Sequence, residues 1–91
     1  MVATTAYGQE KNEESHQHQL VKMEELPAAV KATVEREAQG KQIEKIKKET
    51  EHGVTKYEVD MISNGKEHEI EISESGKVIE RHEEMIDEGT R

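Results

Sequence analysis

Glu69 and Glu71, matched a few residues earlier by Glu58 and Asp60, are the side chains whose type and spacing come nearest to reactive chemistry in this chain. Paired carboxyls serve acid–base catalysis when they converge on a cleft and burial raises the pKa of one of them. Here each pair is spaced i, i+2 inside a run that alternates apolar and polar residues. That spacing lays both carboxylates on a flat, solvated strand face, so the expected reading is a charged surface with no catalytic residue. No serine stands in a nucleophile motif and no glycine-rich phosphate loop is present. The chain has no cysteine, which removes thiolate chemistry, disulfides and cysteine-containing zinc sites together. Calcium would need oxygens converging from one loop, and no such spacing occurs.

The histidines are His16, His18, His52, His68 and His82. Close imidazoles such as His16-x-His18 suit copper, nickel or zinc. This pair has no second pair within reach, so a chance arrangement is expected and neither metal nor cofactor is assigned. His68 falls on the apolar side of its run beside Met61. There it is either a core histidine with one hydrogen bond or a pH-sensitive position.

The elements that hold these residues follow from composition and period. Ninety-one residues allow one small domain, which buries only about 60% of its unfolded surface. Apolar residues make up 31% and charged residues 37%, with no Phe or Trp. A net charge of −8 argues against nucleic acid and anionic membranes as partners. Basic proteins, cations or plain solubility fit it better. No apolar run approaches the roughly 20 residues that span a bilayer. Residues 1–19 lack an apolar period and read as a disordered leader. Within it Ala6-x-Gly8 has the small-x-small form of a signal-peptidase site, either the remnant of a trimmed signal or an arbitrary start.

Glu24-Glu25-Leu26-Pro27 suits the first turn of a helix, with acids at the positive end of the dipole. Leu26, Val30, Val34 and Ala38 then repeat every fourth residue, and Gly40 stands where a terminating glycine belongs. After Gly40 the period changes to two. Strand-type runs 43–50, 54–62, 66–73 and one opening at Val78 are separated by His52-Gly53, Asn64-Gly65 and Glu74-Ser75-Gly76. The expected fold is α+β: one N-terminal amphipathic helix packed on a four-stranded antiparallel meander. Residues 20–82 form the domain and 83–91 an acidic tail.

The two-residue turns set the register. Asn64-Gly65 places Tyr57 opposite Ile72, Val59 opposite Ile70 and Met61 opposite His68. It also sets Glu58 against Glu71 and Asp60 against Glu69, like charges worth some tenths of a kcal/mol of repulsion each. His52-Gly53 offsets that repulsion by bringing Lys45 to Asp60 and Lys47 to Glu58. Arg81 is a further cation for the acidic excess, but the Glu74-Ser75-Gly76 loop permits more than one register for the last strand. Ile43 and Ile62 fall opposite each other on the outer face. Either a bulge turns them inward or they mark a small exposed apolar patch.

Leu26-Pro27-x-x-Val30, Tyr57-Glu58-Val59, Gly65-Lys66 with Glu69-Ile70, and Gly76-Lys77-Val78-Ile79 appear in an order that resembles the PepSY-like family. That family is itself similar to the repeat unit of β-lactamase inhibitor protein. The resemblance covers roughly residues 22–82. It implies the same helix-and-sheet fold and export to the periplasm or cell envelope, which favours the signal-remnant reading. It also implies binding or inhibition of a peptidase or another protein, and no catalytic residue. β-Lactamase inhibitor protein binds through a sheet made by two copies of the unit; this chain holds one. The expected function is therefore a non-enzymatic extracytoplasmic binding module, a monomer or weak homodimer. It presents Lys45, Lys47, Glu58, Asp60, Glu69 and Glu71 to a protein partner. The competing reading is a cation-binding or buffering protein that uses the acidic strand and the histidines.

Overall fold

A stripe that repeats every fourth residue and runs that repeat every second residue must bury their apolar sides against each other, and in this chain they do. A computed structural model describes residues 16–86. The order is β1 (His16–Leu20), a 3₁₀ turn (Met23–Glu25), α1 (Ala28–Glu37), β2 (Gln42–Glu51), β3 (Val54–Ser63), β4 (Lys66–Ser73) and β5 (Val78–Met85). The strands form one antiparallel sheet in the order β1-β2-β3-β4-β5.

Two features of the expected architecture are corrected. Among the described residues the sheet has five strands, and the helix is not the first element, because β1 precedes it. Residues 16–19, read as the end of a disordered leader, belong to that strand and pair with the outer edge of β2. The Ala6-x-Gly8 site and the last five residues of the acidic tail lie outside the described residues. Residues 83–85 of that tail complete β5.

Local chemistry explains the start of the helix. The Lys22 N–H donates to the Glu25 carboxylate at 2.7 Å and closes the 3₁₀ turn. Pro27, which has no N–H to lose, takes the N-cap of α1, and the Lys31 N–H reaches its carbonyl at 2.9 Å. Leu26, Val30 and Val34 are buried against Ile46, Tyr57, Val59, Met61, Ile70 and Ile72. Val30, Val34, Val59 and Ile72 are wholly inaccessible. Each such side chain contributes about 1.5–3 kcal/mol, more than an exposed ion pair, so this layer rather than the surface charge holds the fold.

The hairpin registers match the sequence expectation from Lys45–Asp60 onward in β2–β3 and throughout β3–β4. His52 and Gly53, then Asn64 and Gly65, adopt positive φ (52° and 81°, 50° and 73°), the left-handed pair that a two-residue hairpin turn requires. A bulge between Ile43 and Lys45 shifts the β2–β3 pairing. It turns Ile43 inward, opposite Met61 and against the core, whereas Ile62 stays on the other face opposite Gln42. The third connection is tighter than its sequence suggests. The Gly76 carbonyl accepts the Thr33 hydroxyl at 2.5 Å, and a Cβ on Gly76 would lie 2.6 Å from the Ala29 carbonyl oxygen.

Candidate functional site

α1 covers one face of the sheet, and the opposite face carries the charged ladder. Lys45, Lys47, Glu58, Asp60, Glu69 and Glu71 all lie on that opposite face, in the expected rows. One row runs Lys45–Asp60–Glu69–His82 across four strands, and the next runs Lys47–Glu58–Glu71–Glu80. Alternation along extended strands is sufficient to place them there.

Within these rows the lysines are shared unequally. Lys47 Nζ is 3.5 Å from Glu58 Oε2, and Lys45 Nζ only 4.0 Å from Asp60 Oδ2. Lys56, one row further along, reaches diagonally to Glu71 at 3.1 Å. That contact holds the lysine pKa above its ordinary value. Glu69 has no lysine among the described residues; its neighbour across β5 is His82.

Glu58, Asp60 and Glu69 consequently crowd one another, each offering a carboxylate oxygen within 4.8 Å of the others. Glu58 is buried, although no helix among the described residues lies over it. Asp60 Oδ1 is buried and has no hydrogen-bond partner among the described residues. A hydrogen bond to Glu58, then desolvation and the Glu58 and Asp60 charges, push the Glu69 carboxyl up to about 7. Burial first and Glu58 second raise Asp60 as well. Near neutral pH the Glu69 carboxyl therefore holds its proton part of the time, beside Glu58 and Asp60, an arrangement suited to accepting a cationic group. Glu49, Glu58 and Glu71 form a second close group, but Lys47 and Lys56 lie among them.

Arg81 does not join the acidic face. It stands opposite Ile70 on the helix side and clasps Glu37 of α1 with two hydrogen bonds, 2.5 and 3.1 Å. The guanidinium holds the Glu37 carboxyl below its ordinary pKa. The irregular β4–β5 pairing at Glu71/Ile72 decides this placement, and the loop sequence alone left it open. His68 is on the helix side opposite Glu83, as its alternation implied, with Nδ1 3.2 Å from the Glu83 carboxylate. Beside it, beyond the end of α1, lies a cleft of about 410 Å³ floored by Met61 and Ile70. Glu37, Lys41, Glu69, Arg81, His82 and Glu83 also line the cleft, and no hydroxyl or thiol side chain of the described residues does. The cleft exists because α1 is ten residues long and stops short of that end of the sheet, a tertiary fact that no local pattern carries. His18 Nδ1 lies 3.4 Å from Glu49, which ties it to the β2 edge.

No helix among the described residues is long and apolar enough to cross a membrane. No curated protein and no solved structure matches the chain. A family model does: PepSY, described as "Peptidase propeptide and YPEB domain", matches residues 27–82, from the N-cap of α1 into β5. That match spans more than half of the chain and takes in both hairpins, the carboxylate rows and the Gly76 loop, so the chain belongs to the PepSY family.

Proposed function

We propose that this chain is a non-catalytic, extracytoplasmic binding module that docks a basic surface of a peptidase or another envelope protein. The docking face is the open side of the sheet, through Lys45, Lys47, Glu58, Asp60, Glu69 and Glu71. One observation carries the reading: three carboxyls are packed together with too few lysines, one of their oxygens unpartnered. An arginine or lysine from a partner entering that row relieves the repulsion and satisfies the oxygen, so binding gains from tension already present in the free protein. The family's description as a peptidase propeptide makes a peptidase the first partner to test, and the family's usual extracytoplasmic setting supports the compartment.

The cleft beside His68 gives less support to catalysis. Of its acids Glu37 is engaged by Arg81 and Glu83 by His68, Glu69 belongs to the carboxyl cluster of the open face, and no nucleophilic side chain of the described residues lines it. The test is capture from a cell-envelope extract on immobilised protein, compared with the Glu69→Lys/Glu71→Lys variant. Loss of the captured partner, with the variant still folded by circular dichroism, supports the reading; undiminished capture by the variant removes it. A second reading, uptake of a hard cation, rests on the same orphaned Asp60 oxygen. Calcium added to labelled protein separates the two, because saturating amide shifts confined to residues 58–69 would make this face a cation site.

A further inference from the structure

β1 gives His16-x-His18 the second pair of ligand residues that the sequence does not show. Its register sets His16 opposite Glu51 and His18 opposite Glu49. Residues two apart on an extended strand share a face of the sheet, and directly opposed residues share it as well. These two rungs therefore place two histidines and two glutamates side by side on the open face, at the outer edge of the sheet. We infer that they hold one divalent transition ion of the zinc class. The site is separate from the Glu58, Asp60 and Glu69 cluster and does not rest on the docking role proposed for that cluster.

His18 and Glu49 carry the geometry. His18 Nδ1 stands 3.4 Å from Glu49 Oε2. Two donors bound at about 2.0–2.2 Å to a tetrahedral ion lie roughly 3.4 Å apart, so this pair is already spaced for one shared ion. Glu49 is buried, and its ion pair among the described residues is with His18, which is charged only when protonated. The lysines beside it are drawn away, Lys47 to Glu58 at 3.5 Å and Lys56 to Glu71 at 3.1 Å. A buried carboxylate that faces a neutral imidazole lacks a compensating charge. A dication entering between the two supplies that charge and releases any proton held there. The His18 side chain is 47% exposed, which leaves the path of entry open. Gln17, His18, Gln19 and Leu20 are all exposed, so β1 rests on its ladder with β2, and an ion bridging the two strands would pin it. Imidazole beside carboxylate suits zinc, copper or nickel, whereas calcium and magnesium favour oxygen ligands throughout.

Zinc chloride titrated by calorimetry into the full chain, free of any polyhistidine tag, should bind saturably at one ion per chain. Amide shifts should concentrate on β1 and on the end of β2 that carries Glu49 and Glu51, and the thermal midpoint should rise with zinc. His18→Gln should weaken zinc by more than the roughly tenfold that loss of an outer-shell partner costs. His16→Gln/His18→Gln should abolish saturable binding while circular dichroism shows the sheet intact. His82→Gln, whose histidine lies on the opposite edge strand, should bind zinc as the wild type does. Affinity should fall as pH falls, because protons compete for the same ligands. Non-saturating uptake overturns the inference. So does saturable binding that survives in the double variant, or zinc-induced shifts confined to residues 58–69.

Discussion

Two demands meet at Glu69: strand alternation puts its carboxyl on the open face, and the register puts it beside Glu58 and Asp60 with no lysine of its own. The outcome is a carboxyl raised to about 7, chiefly through its hydrogen bond to Glu58. A group whose folded pKa lies above its unfolded value stabilises the fold fully below the unfolded value, near 4.5 here. That contribution falls away as pH rises through 7. Solvent screening at a half-open site reduces it to about 1–2 kcal/mol. Unfolding by urea should therefore show higher stability at pH near 5.5 than near 8, and Glu69→Gln should flatten the difference by stabilising the protein at the alkaline end by about 1 kcal/mol. A Glu69→Gln variant with the wild-type pH profile would place the proton elsewhere. Glu37 acts in the opposite sense. Arg81 holds its carboxyl low, so its contribution is present at neutral pH and is lost on acidification below the ordinary carboxylate range.

The helix and the sheet are joined most tightly at Gly76, where φ is 91° and the first turn of α1 leaves no room for a Cβ. Gly53 offers the internal comparison, since it too has positive φ but nothing lies within 4 Å of its missing Cβ. Gly53→Ala should cost about 1 kcal/mol from backbone strain alone. Gly76→Ala adds a clash with the Ala29 carbonyl and the displacement of the Thr33 hydrogen bond, and should cost about 2–3 kcal/mol. Equal midpoints in thermal melts of the two variants would refute this account of the contact. The same comparison shows what the sequence could reveal. A two-residue turn such as Asn64-Gly65 sets a register by itself, so Tyr57–Ile72 and Asp60–Glu69 could be read from spacing, and with them the whole charged face. β1 was hidden because His-Gln-His-Gln-Leu has no apolar period; only the exposed edge of β2 gives it a partner. The place of Arg81 was hidden because it depends on an irregularity in the β4–β5 pairing, between the loop and Arg81, that the loop sequence does not announce. The inward turn of Ile43 was one of two open alternatives, decided by the buried Met61 that it covers.

At the scale of the whole molecule, the described residues place a single ten-residue helix on one side of five strands and an acidic ladder on the other, in a chain of net charge −8. Charge alone would attract any basic partner, so attraction by itself cannot identify a binding face. The proton on Glu69 can. A lysine or arginine docked among Glu58, Asp60 and Glu69 favours the ionised form of Glu69 and lowers its pKa, so the complex holds fewer protons than the free protein. Binding must then release up to about one proton, and affinity must rise with pH below 7 and level off above it. A short lysine-rich peptide suffices as a probe. Calorimetry near pH 6.5 in two buffers of different ionisation heat counts the protons released, and Glu69→Gln should abolish the release while retaining some affinity. Added salt should weaken the peptide for both proteins, because that part of the attraction is diffuse and screened. Identical proton counts for wild type and Glu69→Gln would mean that the peptide binds the charge of the molecule and not the carboxyl cluster.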